Sequence, residues 1–431
     1  MNNYQIVIYN LLQWLIIIIC LPFLIPLACI HPKRKQTFFK RLGLQNLQKY
    51  QKPVWVHALS VGEVLSAFPI IEAMRKKWPE KPVVFSTSTL SGFEMAQNMR
   101  NQVNEIIYYP YDFIFSVQWM TKKVDPSLFV LVESDIWPNF LTHLHRKKIP
   151  SLLLNARLSK ESYRGYKLLK SFMQPALQTF SGICAQSEIQ KARFESFDTD
   201  PSKIIVSGNV KFDQKRHQLS QDEFEALKRM TGLTKSTPVI VAGSTHAGEE
   251  EILLDVIKRL ISQYPDLKMI IAPRDPGRAR DIQALCLENH LPASMYTQQK
   301  QFVRILIVDQ MGVLGKLYAL ASIAFVGGSM VNEGGHNPLE PASMAKPVVF
   351  GSDMHDFPEV SQRLLSEGAA FQVQDSNELY QIFRLLLEDH DFAMQMGTKG
   401  LKIVKDSQGA VQQCIGFMAK YDCPTLVFPN A

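Results

Sequence analysis

The residues best suited to chemistry in this chain follow short apolar runs. His57-Ala58-Leu59-Ser60-Val61-Gly62-Glu63 closes one such run and opens a helical pattern. Two readings of Glu63 stand. Ser60 and Glu63 have the spacing of a capping box, in which the acid only satisfies a backbone N–H. Alternatively, the carboxylate takes a proton from an attacking hydroxyl at the mouth of a cleft. Glu133-Ser134-Asp135-Ile136-Trp137-Pro138-Asn139 follows a second run. An acid ending a buried strand is costly unless it is paired or used, so Glu133 is either a solvated loop carboxylate or a working group. Gly208-Asn209-Val210-Lys211-Phe212-Asp213 closes a third run. There Lys211 is either a surface lysine or a cation set beside a cleft to neutralise a leaving phosphate.

The second half of the chain offers anion-binding chemistry. Ala242-Gly243-Ser244-Thr245-His246 precedes Glu249-Glu250-Glu251, and small residues there allow close backbone approach and anion binding at a helix N-terminus. Ala272-Pro273-Arg274-Asp275-Pro276 offers one guanidinium. Phe325-Val326-Gly327-Gly328-Ser329 leads into Gly334-Gly335-His336-Asn337-Pro338-Leu339-Glu340. Asn337 is expected as N-cap and Pro338 as first helical residue. The positive helix end so formed would face a nucleotide phosphate, with Glu340 accepting from ribose hydroxyls; plain loop and cap chemistry is the alternative. No two-histidine, Asp-x-Asp or Cys cluster marks a metal site, and no cofactor is expected. Protein cations and helix ends would suffice for a monophosphate leaving group. P-loop and G-x-S-x-G motifs are absent.

These segments need strands to position them. Runs at 54–57, 83–86, 129–132, 152–154, 183–185 and 204–206 read as buried strands, alternating with helical patterns such as 63–77. That alternation predicts a parallel, doubly wound sheet. The pattern pauses at 213–221 and restarts with runs at 239–242, 269–272, 305–308, 323–326 and 348–350. Two Rossmann-like α/β domains facing a cleft are therefore expected, 31–212 and 213–431. Ligands would bind beyond the carboxyl ends of their strands. The stretch 392–421 reads as helical and is expected to pack back on the first domain.

A chain of 431 residues suits two domains. With 46% hydrophobic and 20% charged residues, it carries no global sign of disorder. Its six cysteines form no CxxC pair, which favours a reducing compartment. Residues 1–30 contain no charged side chain, and the nearly apolar run 11–30 is long enough to cross a bilayer. Lys33, Arg34, Lys35, Lys40 and Arg41 follow directly. They suit anionic lipid headgroups better than nucleic acid, and place the bulk of the protein in the cytoplasm. Residues 1–30 are thus expected to be a membrane anchor helix, with an in-plane or re-entrant segment or a buried core helix as alternatives, since Pro22 and Pro26 would kink a helix.

Taken together, the segments resemble the 3-deoxy-D-manno-octulosonic acid (Kdo) transferases of lipopolysaccharide synthesis. The resemblance runs through SVGE at 60–63, WPN at 137–139, NARLS at 155–159, KFD at 211–213, STH-GEE at 244–250, PR at 273–274, FVGGS at 325–329 and GGHNPLE at 334–340. It implies the GT-B fold and metal-independent, inverting transfer of Kdo from CMP-Kdo to a lipid A precursor (lipid IVA) at the cytoplasmic face of the inner membrane. It also implies that Glu63 deprotonates an acceptor hydroxyl while Glu133 and Lys211 stabilise the transition state. CMP contacts would fall on Pro273, Arg274, Met311, Gly312, Val313, Asn337, Pro338, Leu339 and Glu340. Two departures stand out: Val313 replaces the acid of the usual MGE, and ESD at 133–135 replaces the usual ETE. A GT-B-like nucleotide-sugar epimerase and a non-catalytic membrane-surface lipid-binding protein are the rival readings.

Overall fold

The computed structural model describes residues 5–15, 32–213, 219–234, 237–298 and 303–421. These divide into two compact units. The first takes the described residues of 1–214 and 407–431, the second those of 215–406.

The first unit is built on seven strands: β1 (Val54–His57), β2 (Val83–Thr87), β3 (Glu105–Tyr108), β4 (Leu128–Val132), β5 (Ser151–Ala156), β6 (Gly182–Ala185) and β7 (Ile204–Val206). They lie in the order β3-β2-β1-β4-β5-β6-β7, parallel at every pairing. A parallel sheet is covered on both faces, so its strands are apolar on both sides. Val54, Val56, Val130 and Leu152 point into one core cluster, whereas Trp55, Phe129, Leu131 and Leu153 point into the opposite one.

The second unit repeats the plan with β8 (Val239–Thr245), β9 (Lys268–Pro273), β10 (Ala293–Met295), β11 (Ile305–Ile307), β12 (Ile323–Val326), β13 (Val348–Phe350) and β14 (Ala370–Gln372). Their order is β10-β11-β9-β8-β12-β13-β14, again all parallel. Each sheet has a switch point, between β1 and β4 in the first and between β8 and β12 in the second, where β10 also lies outside β11 at the edge. Ligand crevices form at such switch points. Three strands escape the sequence reading, β3, β10 and β14, and each lies at a sheet edge.

The expected carboxyl-terminal helical stretch is two helices, His390–Asp406 and Ala410–Met418. The second belongs to the first unit. Its Val411, Cys414 and Ile415 share a core with Val64 and Ile71 of the Val61–Lys77 helix. Gly182 makes room for it, because a Cβ there would stand 2.3 Å from the Phe417 ring. Its start is held by Asp213, whose carboxylate accepts the N–H groups of Gly409 and Val411, both at 2.6 Å.

At the other end, a helix over 5–15 lies on the first unit. Ile6 is buried. The Tyr9 hydroxyl donates to Asp112 Oδ2 (3.0 Å), and Asn10 exchanges amide hydrogen bonds with Asn139 at 3.1 and 2.8 Å. The outward face exposes Val7, Ile8, Leu11, Leu12, Trp14 and Leu15. Residues 16–30 of the expected anchor lie outside the described residues. Among the described residues, no helix is long and apolar enough to cross a membrane.

Candidate active site

In the first unit, Glu63 and Glu133 follow the two strands that flank the switch point. Glu63 sits in the first turn of the Val61–Lys77 helix and is 6% exposed. The capping box that the Ser60–Glu63 spacing allows does not form, since the Ser60 side chain makes no cap bond. The acid reaches one residue further back: Leu59 N–H donates to Glu63 Oε2 (2.5 Å), while the Ser134 hydroxyl donates to Glu63 Oε1 (2.6 Å). Burial and the neighbouring Glu133 push the Glu63 carboxyl up. The hydrogen bonds from Ser134 and Leu59 draw it partly back, Asp135 adds to the rise, and the balance lies at about 8. A carboxyl at that point is half ionised just above neutrality, as a general base needs.

Glu133 directly follows β4 in a left-handed conformation (φ 65°), and its carbonyl accepts from Arg157 N–H. The following Ser134 N–H donates back to Val132 O at 3.0 Å, a tight γ-turn that swings the chain out of the sheet. Glu133 Oε1 accepts from Ser66 Oγ (2.6 Å) and Asn155 Nδ2 (3.2 Å) and lies 3.6 Å from Lys211 Nζ. So Glu133 is no solvated loop carboxylate. It is 7% exposed and paired. Lys211 comes from the short 3-10 turn Val210–Asp213, whose Asp213 tethers the last helix. Glu63, Glu133 and Lys211 are therefore brought together, with Ser66, Ser134 and Asn155 as partners to which the sequence assigned no role. The same strand-end rule points to Asn155, the penultimate residue of β5.

Asp135, also left-handed (φ 79°), is fixed on the other side. His57 Nε2 lies 2.8 Å from its Oδ2, and Trp137 Nε1 donates to its Oδ1 at 2.7 Å. His57 is fully buried and stacks on Tyr109 at 3.7 Å.

The second unit treats its acids differently. Glu249 is 0% exposed, and its carboxylate accepts three consecutive backbone N–H groups, from Gly328 (2.7 Å), Ser329 (3.0 Å) and Met330 (3.0 Å), as well as His246 N–H (2.9 Å). Glu250 takes both guanidinium nitrogens of Arg278 at 2.9 and 3.0 Å. Glu251 accepts Gly248 N–H. The N–H groups at 328–330, and that of Gly248 at the start of the Glu249–Leu260 helix where anion binding was expected, are thus occupied by the protein's own acids. Gly327 is required for this packing, since a Cβ would stand 2.5 Å from Ser244 O.

The residues expected to contact CMP all follow strand ends of this one sheet. Pro273 ends β9, and Arg274 is exposed beside it. Met311, Gly312 (φ 86°) and Val313 follow β11, and Val313 precedes the Leu314–Leu317 turn. After β12, the helix begins at Leu339 with Pro338 as its cap, one residue later than expected. Asn337 Oδ1 still accepts Leu339 N–H (3.1 Å). Leu339 is fully buried, Pro338 is buried, and Glu340 is half-buried. His246 and His336 stack, with Nε2 atoms 2.8 Å apart. Burial, Arg274 and His246 hold the His336 imidazole down at about 4, so it is neutral at pH 7.

A family model described as "3-Deoxy-D-manno-octulosonic-acid transferase (kdotransferase)" matches residues 36–214. Relatives named 3-deoxy-D-manno-octulosonic acid transferase include that of Haemophilus influenzae, 28% identical over 94% of this chain and 97% of the relative. Those of Rickettsia felis and Rickettsia bellii are each 30% identical over 85% of this chain, covering 79% and 88% of the relatives. Among solved structures, the chain is similar to a UDP-GlcNAc 2-epimerase from Neisseria meningitidis (TM-score 0.59, 16% identity, 86% of this chain and 100% of that one). It is also similar to a glycosyltransferase from Rickettsia africae (TM-score 0.55, 13% identity, 86% and 99%). These likenesses concern the fold, two parallel-sheet α/β domains resembling GT-B glycosyltransferases, and they include an epimerase. The fold alone does not choose between the activities. The sequence relatives do, and the chain belongs to the 3-deoxy-D-manno-octulosonic acid transferase family.

Proposed function

We propose that this enzyme transfers Kdo from CMP-Kdo to the lipid A precursor lipid IVA with inversion, and that Glu63 is the general base. The observation that carries the reading is the Glu63 carboxyl: buried, pushed up to about 8, and held by two hydrogen bonds at the switch point. Such a group accepts a proton from an acceptor hydroxyl as the oxygen attacks the anomeric carbon. Glu133, already paired with Lys211, supplies a negative charge where an oxocarbenium-like centre develops, and Lys211 a positive one near the departing phosphate. In the second unit, Pro273, Arg274, Met311, Gly312, Val313 and Asn337 through Glu340 would seat the cytidine nucleotide. Val313 leaves this last role to backbone groups at its position. No metal is required in this scheme.

The same reading places the enzyme at the cytoplasmic face of the inner membrane. Its support is the 5–15 helix, tied to the first unit through Ile6, Tyr9 and Asn10 and apolar outward, followed in the sequence by the basic cluster Lys33, Arg34, Lys35, Lys40 and Arg41, of which Arg41 donates to the carbonyls of Tyr109 and Ser88 instead. That combination suits an interface rich in anionic headgroups, where the acceptor resides.

The direct test is incubation of purified protein with CMP-Kdo and lipid IVA, with the lipid product weighed by mass spectrometry. A mass gain of one or more Kdo residues with the wild type and none with Glu63→Ala is expected. Wild-type turnover by Glu63→Ala would remove Glu63 from the mechanism.

A further inference from the structure

The geometry points to Ser134 as the positioning residue that fixes the Glu63 carboxylate for proton abstraction, an inference that rests on the reading of Glu63 as the base. The two Glu63 oxygens are held from opposite sides, Oε2 by the backbone N–H of Leu59 and Oε1 by the Ser134 hydroxyl at 2.6 Å. The backbone contact survives any side-chain change on that loop; the hydroxyl contact does not. Without it only the Leu59 contact restrains the carboxylate about its terminal torsion, which is broad, and its ionised form loses one of two hydrogen-bond donors.

The loop is built to hold this hydroxyl where it stands. Ser134 lies between two non-glycine residues in the left-handed region, Glu133 and Asp135. That conformation is uncommon and persists only where the surroundings over-determine it. Here both neighbours are clamped. Glu133 is held by Ser66 and Asn155. Asp135 is held by Trp137 Nε1 and by His57 Nε2. His57 is itself braced through Nδ1, 3.0 Å from Ser86 Oγ, and that hydroxyl accepts from Trp55 Nε1 at 2.8 Å. This buried chain of contacts runs from the core of the sheet to the residue beside Ser134. Observed strain in a loop ending on a functional carboxylate licenses a hypothesis about function. The hydroxyl itself is half-buried and adds nothing to the apolar core, so removing it leaves the sheet intact.

The charged and titratable groups that face Glu63 are Glu133, Asp135 and Tyr166, with Lys211 paired to Glu133. Against that fixed background, Ser134 is the uncharged partner whose loss disfavours the ionised base. A full-chain Ser134→Ala variant is expected to lower kcat at pH 7 about tenfold, since a hydrogen bond to a charged group is worth that much or more. The KM for CMP-Kdo should stay within about twofold, because donor contacts lie elsewhere. The acid limb of the pH–rate profile should move up by about one unit. Ser134→Thr should restore both the rate and the limb. The near-isosteric pair Ser134→Thr and Ser134→Val repeats the comparison if the alanine variant folds poorly: threonine fast with the wild-type limb, valine slow with a raised one. Superimposable profiles for hydroxyl and non-hydroxyl variants would overturn the assignment. Glu63→Gln assayed alongside separates the two claims. Turnover by Glu63→Gln sinks the base itself. A dead Glu63→Gln beside an unaltered Ser134→Ala sinks only the positioning role.

Discussion

The two switch points of this molecule stand at the same place in two similar sheets, yet they use carboxylates in opposite ways. At β8 and β12, Glu249 and Glu250 are almost completely buried and fully compensated, by three successive N–H groups in one case and a two-pronged guanidinium in the other. At β1 and β4, Glu63 is nearly as buried but under-compensated: two neutral donors face it, and two further acids, Glu133 and Asp135, repel its charge. A buried carboxylate with its donors saturated is a structural counter-ion. One with too few donors keeps its proton to higher pH and is available for proton transfer. On the proposed reading, that difference distinguishes the working acid from the structural ones without reference to motif.

The largest way to break this comparison is Glu63→Gln. Loss of a general base is expected to lower kcat by about 10²–10⁴-fold, measured as initial rates of lipid product formation. The same change should stabilise the fold at alkaline pH. The sign follows from the raised carboxyl: between its unfolded value near 4.5 and its folded value near 8, the native state holds the extra proton, so stability falls as pH rises through that window. Removing the charge should therefore raise the urea midpoint at pH 9, a gain of up to about 5 kcal/mol, and leave it nearly unchanged at pH 4. Glu249→Ala should do the reverse. It strands four backbone N–H groups and costs about 3–5 kcal/mol of stability by denaturant unfolding. A Glu249→Ala protein of full stability with lost donor binding would show that this acid faces ligand instead.

A smaller effect sharpens the contrast. Glu133→Gln removes the nearest repelling charge and should lower the acid limb of the pH–rate profile by about one unit, while kcat falls because its pairing with Lys211 is lost. The smallest expected effect is that of a chelator. EDTA should leave the rate unchanged, and a rate that collapses and then recovers with magnesium would contradict the proposed metal-independent scheme.

Much of this was legible in the residues because burial in a parallel sheet writes a simple pattern. Central strands such as β1, β4, β8 and β12 are apolar on both faces and announce themselves as continuous runs. The edge strands β3, β10 and β14 do not. Glu105 opens β3, Ala293 and Ser294 open β10 half-buried, and Gln372 of β14 is exposed, so each leaves too short an apolar signature. Glu63, Glu133 and Lys211 could be read because they follow such runs. What surrounds them could not. Ser134 lies 71 residues from the acid it serves, and Glu249 lies 79–81 residues from the N–H groups it fills. Spacing was ambiguous at short range: Ser60 and Glu63 have capping-box separation, but one oxygen of the acid accepts Leu59 N–H and the other the Ser134 hydroxyl. In the same way, the glycine-rich segment after β12 looked like an open anion nest, and only the third dimension brings Glu249 into it.

The account rests on Glu63 being the group whose ionisation admits turnover. Its most direct test is the pH dependence of single-turnover transfer by the wild-type enzyme between pH 6 and 10. A rate that climbs tenfold per unit at low pH and levels off near pH 8 is the expected result. A rate already flat from pH 6 upward would contradict it, because the base would then be ionised long before a carboxyl in that setting can be.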